Sequence, residues 1–145
     1  MNPTRGRDLA VVAVVFGALA YLLLWWAYRS IPALPRTAPV SVVVIGALEL
    51  QIAGHTRRRL EGRPGTRPIL PLTVARFAAF AKASSVAAAA LAGGWAGTLG
   101  YTIPRTDEFG TAASDAITAG LGLAAAVVLL AGGLVLERVC RVHRK

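Results

Sequence analysis

Chemistry in this chain would have to come from a few charged residues set inside apolar stretches. Glu49 lies in "VIGALELQIAG" and Lys82 in "ARFAAFAKAS" (75–84), a segment that also holds Arg76. The helical neighbours of Glu49, three and four residues away, are Ile45, Gly46, Ile52 and Ala53, and none of them can pair with it. Lys82 is flanked in the same way by Ala78, Ala79, Ser85 and Val86. A charge at the centre of a membrane helix costs about 2.5–3.5 kcal/mol on the insertion scale. Glu is too short to reach far, so Glu49 must be protonated, wetted by a cavity, or paired with a charge on another helix. A direct Glu49–Lys82 contact is therefore one expectation. For Lys82 there is a simpler alternative, in which its long side chain reaches the membrane edge unaided. Glu137 precedes Arg141 by four residues, the favourable order for a local surface pair. Arg76 stands near the start of its helix, where it can reach phosphate.

Other chemistries find little support. His55 and His143 lie at the edges of apolar blocks without spaced partners for a metal. There is no activated Ser or Cys constellation and no Gly-rich phosphate loop before a Lys. Asp107 and Glu108 are adjacent and read as solvated turn residues. The single cysteine, Cys140, excludes an intrachain disulfide and a Cys-based metal cluster. The expectation is a protein without cofactor or metal, and not an enzyme.

The elements that carry these residues are membrane spans. The composition is 55% hydrophobic and 16% charged, and the Ala, Val, Leu and Gly residues fall in long blocks. Four transmembrane helices are predicted at about 9–29, 38–54, 72–101 and 112–139, forming one all-α integral membrane bundle over 1–145. Pro39 is tolerated in the first turn of the second helix. The first block is too long for a signal-peptide core and ends in "WWAYR" without a small-residue cleavage site, so it reads as a retained helix.

The net charge of +9 does not point to nucleic acid, because the basic residues flank the apolar blocks. Arg5, Arg7, Arg57, Arg58, Arg59, Arg63, Arg67, Arg138, Arg141, Arg144 and Lys145 fall in the N-terminus, the 55–71 loop and the C-terminus. The other two connections hold Arg29, Arg36 and Arg105. The asymmetry predicts a multi-pass cell-membrane protein with both termini cytoplasmic. Arg57, Arg58, Arg59, Arg63, Arg67 and Arg76 are candidates for contact with anionic lipid headgroups.

In the third helix, Lys82 shares a face with Ser85, Val86, Ala89, Gly93, Ala96, Gly97 and Gly100, with Leu91, Trp95 and Thr98 opposite. Small residues let helix backbones approach closely in lipid, and Gly93 with Gly97 makes a GxxxG pair. Ser85, Ala89, Gly93, Ala96, Gly97 and Gly100 are accordingly the expected helix-packing face.

"PLTVARFAAFAKAS" before a small-residue helix, with "LERVCRV" closing the last span and the basic "RRRLEGRPG" loop between, resembles an actinobacterial family of small membrane proteins classed only as a domain of unknown function. The matching positions are Pro71, Leu72, Ala75, Arg76, Ala81, Lys82, Ala83 and Ser84, then Glu137, Arg138, Cys140 and Arg141. The family pattern has an acidic residue before "PLT" where this chain has Leu70. The resemblance implies a four-helix plasma-membrane protein, encoded beside folate-biosynthesis genes, with no assigned activity. Nothing in the residues suggests pterin binding.

Two functional expectations follow. One is a non-catalytic accessory or scaffold subunit of an envelope assembly, packing against itself or a larger membrane-protein partner. The other is a small dimeric carrier or lipid flippase using Glu49 and Lys82, against which stands the expectation of a single deeply buried carboxylate.

Overall fold

A computed structural model describes residues 5–30, 32–60 and 71–142. Helix α1 spans Gly6–Ala27, α2 Ala38–Leu60, α3 Pro71–Thr102 and α4 Ala112–Val142, with short 3-10 turns at Tyr28–Ser30 and Ile103–Arg105. Among the described residues there is no strand. Each of the four helices is long and apolar enough to cross a membrane.

Local chemistry explains most of the ends. Arg5 is extended and its carbonyl accepts from the Asp8 and Leu9 amides, opening α1 with an acid in the first turn. Pro39 and Pro71 sit at helix starts, where their missing N–H is harmless. Pro104 follows the end of α3. The second helix runs further than expected: it continues through "HTRRRL" to Leu60 rather than stopping near residue 54. Arg is a good helix former, three of them complement the C-terminal dipole, and no Gly or Pro intervenes between Gly54 and Leu60.

The helices pack in the order α1–α3–α4–α2, which is not chain order. α1 and α3 run parallel, since Ala13 and Gly17 meet Gly93 and Gly97 in turn. α3 and α4 are antiparallel, with Trp95 against Gly122 and Ser85 against Gly133. α2 and α4 are parallel, with Gly46 at Leu129 and Glu49 at Gly132. The starts of α1 and α3 therefore share one end with the finishes of α2 and α4. This end carries Arg57, Arg58, Arg59 and Arg138 and is called the basic end; the other, with Tyr28, Tyr101 and Phe109, is the aromatic end.

At the α1–α3 seam a Cβ on either Gly93 or Gly97 would collide with the backbone carbonyl of Ala13 or Gly17 respectively. The two small-xxx-small pairs thus face each other and let the backbones touch. The expected packing face of α3 divides between two partners. Ser85 is buried against α4, while Gly93 and Gly97 meet α1, and Ala89 is buried between them in sequence. Ala96 and Gly100 are exposed. The side expected to lie opposite is not left outside: Trp95 covers Gly122 of α4, and Thr98 is buried. A helix in the middle of a row buries two faces, so one stripe of small residues describes only part of its contacts.

Candidate functional site

α2 lies at the edge of the row and packs on α4. Its buried residues include Gly46, Glu49, Ala53 and Thr56, a 3-4-3 spacing that forms one stripe down the helix. Glu49 is thus placed at the seam by the same periodicity that buries Ala53. It sits midway along α2, about 16 Å from either end, and is 1% exposed.

The opposing surface on α4 is bare backbone. A Cβ on Gly132 would lie 3.2 Å from Glu49 Cβ, 3.3 Å from its Oε2 and 3.1 Å from the Gly46 carbonyl oxygen. Gly132 makes the room that the carboxyl occupies. One residue on, Gly133 faces α3, where a Cβ would lie 2.6 Å from Ser85 Oγ. Toward the basic end the floor is apolar: Ala53, Ala81, Leu136 and Cys140 form one buried cluster, with Ile52, Val74 and Phe77 packed against it.

Both oxygens of Glu49 are buried and accept no hydrogen bond from any described residue. Among the described residues, no hydrogen bond joins Glu49 to Lys82. α4 packs along both α2 and α3, and α2 and α3 come together in the buried cluster around Ala53 and Ala81. Lys82 is half-buried and makes interactions of its own. Glu137 is also half-buried and engaged, with its Oε2 buried. The hydroxyls differ from Glu49 in being satisfied by their own helices: Ser85, Thr98, Thr102 and Thr118 each donate to the carbonyl four residues back, at 2.9–3.0 Å.

A second buried carboxylate, which sequence reasoning missed, lies at the aromatic end. Asp115 is 2% exposed in the first turn of α4. Its Oδ2 accepts from the Tyr28 hydroxyl at 2.7 Å and its Oδ1 from the Leu34 amide at 2.9 Å. Among the described residues two carboxylates are buried, not the single one expected. Tyr28 packs with Leu24, Tyr101 and Phe109. Arg105 stacks 4.2 Å over the Tyr101 ring and donates to the Tyr101 carbonyl at 3.1 Å. The clasp ties the end of α1, the α1–α2 connection and the start of α4. The one signal for it in the sequence was an acid near a helix N-terminus, where it complements the dipole.

The remaining expected residues are dispersed. Arg57, Arg58 and Arg59 are exposed in the last turn of α2, and Arg76 is exposed near the start of α3. Arg63 and Arg67 lie outside the described residues, as does His143. Asp107 and Glu108 are exposed, and Glu108 approaches Arg105 at 4.0 Å. Among the described residues, no three His, Cys, Asp or Glu side chains converge as a metal site. An open apolar groove of about 300 Å³ runs between Phe16 and Ala20 of α1 and Leu91, Gly94 and Trp95 of α3.

Residues 9–144 match a family described as a protein of unknown function, DUF3180. The chain belongs to the DUF3180 family. No curated protein and no solved structure matches it. In this DUF3180 member, then, the candidate site is defined by its own geometry: a carboxyl held between α2 and α4 without a hydrogen-bonding partner among the described residues.

Proposed function

We propose that the chain is a non-catalytic subunit of the cell membrane, serving as an accessory or scaffold element of a cell-envelope assembly with both termini in the cytoplasm. The observation that carries this reading is the open row of helices. Its inner seams are closed by glycine-mediated backbone contact, while the edge helices present long apolar faces outward. On α1 these include Val14, Phe16, Leu22, Trp25 and Trp26; on α2 they include Val40, Val43, Val44 and Leu48. Such faces accept lipid, a second copy or a larger membrane protein by van der Waals packing. The exposed arginines at the basic end favour anionic headgroups, at about 1 kcal/mol each near the surface. The actinobacterial source and the folate-gene neighbourhood implied by the family resemblance belong to this proposal.

The test is a tagged purification from native membranes in mild detergent, with mass determined. Recovery of a stoichiometric membrane-protein partner supports the subunit reading. A clean homodimer without a partner favours the second reading, a small carrier, for which the unpartnered Glu49 carboxyl is the supporting observation.

A further inference from the structure

We propose that Glu49 is a binding site for a single exchangeable proton inside the membrane-spanning bundle, held as a carboxylic acid at the α2–α4 seam. The inference stands apart from the scaffold reading and rests on what surrounds the carboxyl. Three conditions were open to a glutamate in the middle of α2: a partner, water or a proton. Its two oxygens receive no donor from the described residues, and at 1% exposure the residue is closed to bulk solvent. An ionised carboxylate so placed would carry a charge shielded from bulk solvent and without a hydrogen bond from the described residues, a costly arrangement for a buried group.

What the seam presents beside the carboxyl is backbone. The Gly46 carbonyl oxygen lies on the same face of α2, three residues before Glu49. It and Glu49 Oε2 are within 3.1 and 3.3 Å of one point above the Gly132 backbone. A carbonyl oxygen has a second lone pair beyond its helical hydrogen bond. A neutral acid adds no charge to this seam, whereas a carboxylate there faces backbone carbonyl without a donor from the described residues. On the Gly132 side the fit is tight, since a methyl carbon there would lie 3.2 Å from Glu49 Cβ and 3.3 Å from its Oε2.

The charged and titratable groups around this level do not supply the missing partner. On α4, Glu137 and Cys140 lie about 7.5 and 12 Å further along the axis from Gly132. Across α4 on α3, Lys82 has interactions of its own. On α2, His55 and the following arginines are exposed, about 9 Å or more beyond Glu49. Binding is a simple transfer: hydronium gives its proton to the carboxylate and leaves as water, and release reverses it.

Infrared spectroscopy of the purified full chain in lipid at neutral pH tests this. The expected result is a carboxylic-acid C=O band that shifts when glutamate carries a 13C-labelled carboxyl, shifts again in D2O, and is lost in Glu49→Gln. The isotope separates glutamate from Asp115 in the wild-type chain, so no variant is needed for the first reading. Should Glu49→Gln assemble poorly, Glu49→Asp moves the band out of the glutamate-labelled set. The proposal is overturned if labelled glutamate shifts no band in that region, or if the shifted band survives the Glu49 substitutions.

Discussion

The bundle buries one carboxyl at each of two levels and treats them in opposite ways. At the aromatic end, Asp115 accepts from a tyrosine hydroxyl and a backbone amide, and the donors come from a connection and a helix end that the acid ties together. At the α2–α4 seam, Glu49 is as deeply buried but meets the Gly132 backbone, with no donor to either oxygen among the described residues. The difference teaches that burial by itself does not assign a role. A buried acid with donors is a structural clasp. A buried acid without them is a group whose proton matters.

If that contrast is right, removing the partnered acid should do the most damage. Asp115→Ala removes the acceptor of the Leu34 amide and leaves the Tyr28 hydroxyl only its longer, 3.5 Å contact with Thr111 Oγ1. A buried donor left without its acceptor costs about 1–3 kcal/mol, so a loss of roughly 3 kcal/mol is expected as a lowered thermal midpoint in detergent. Tyr28→Phe, which removes one of the two donors, should lose about half as much. Equal stability of Asp115→Ala and wild type would break the comparison.

An intermediate effect is expected at the glycine that makes room for Glu49. Gly132→Ala places a carbon 3.2 Å from Glu49 Cβ and about as close to its Oε2. Overpacking of this kind costs about 1–3 kcal/mol. Combining it with Glu49→Ala should recover part of the loss, giving a coupling of at least 0.5 kcal/mol in a double-mutant cycle. Strict additivity would mean that the two residues do not share the seam.

The smallest effect belongs to the pair that the structure leaves apart. Glu49→Gln and Lys82→Met should combine additively within about 0.5 kcal/mol, read from unfolding midpoints of the single and double variants. A charge swap, Glu49→Lys with Lys82→Glu, should be worse than either single change. Rescue by the swap would restore the direct pair and remove the contrast between the two carboxyls.

How far the site was legible in the sequence follows from the range of each interaction. Glu49 could be singled out from its own helix, because its neighbours at three and four residues are apolar. Its partner could not. Periodicity marks the buried face of α2 but not the helix that covers it, which is α4. The GxxxG pair of α3 was visible as a motif, yet its opposite number, Ala13 and Gly17, lies about 80 residues earlier in the chain. Asp115 went unnoticed because its donors, Tyr28 and the Leu34 amide, lie 87 and 81 residues away. One of them is a backbone group that any non-proline residue would supply.

What the sequence alone determined is therefore the local part. It specifies four apolar helices, their approximate ends, the basic and aromatic character of the two ends, and a carboxyl in the middle of α2. These depend on hydropathy, on Pro at the helix starts and on charge near the termini, all of which act within a few residues. The extension of α2 to Leu60 is the exception, where helix-forming arginines outlasted the apolar run. Only the tertiary structure decided the order α1–α3–α4–α2, the two-sided burial of α3, and which of the buried acids receives donors. The physical reason is that helix pairing in a membrane is selected by close packing between distant segments. Hydrogen-bond satisfaction is then inherited from whichever backbone and side chains that packing brings together.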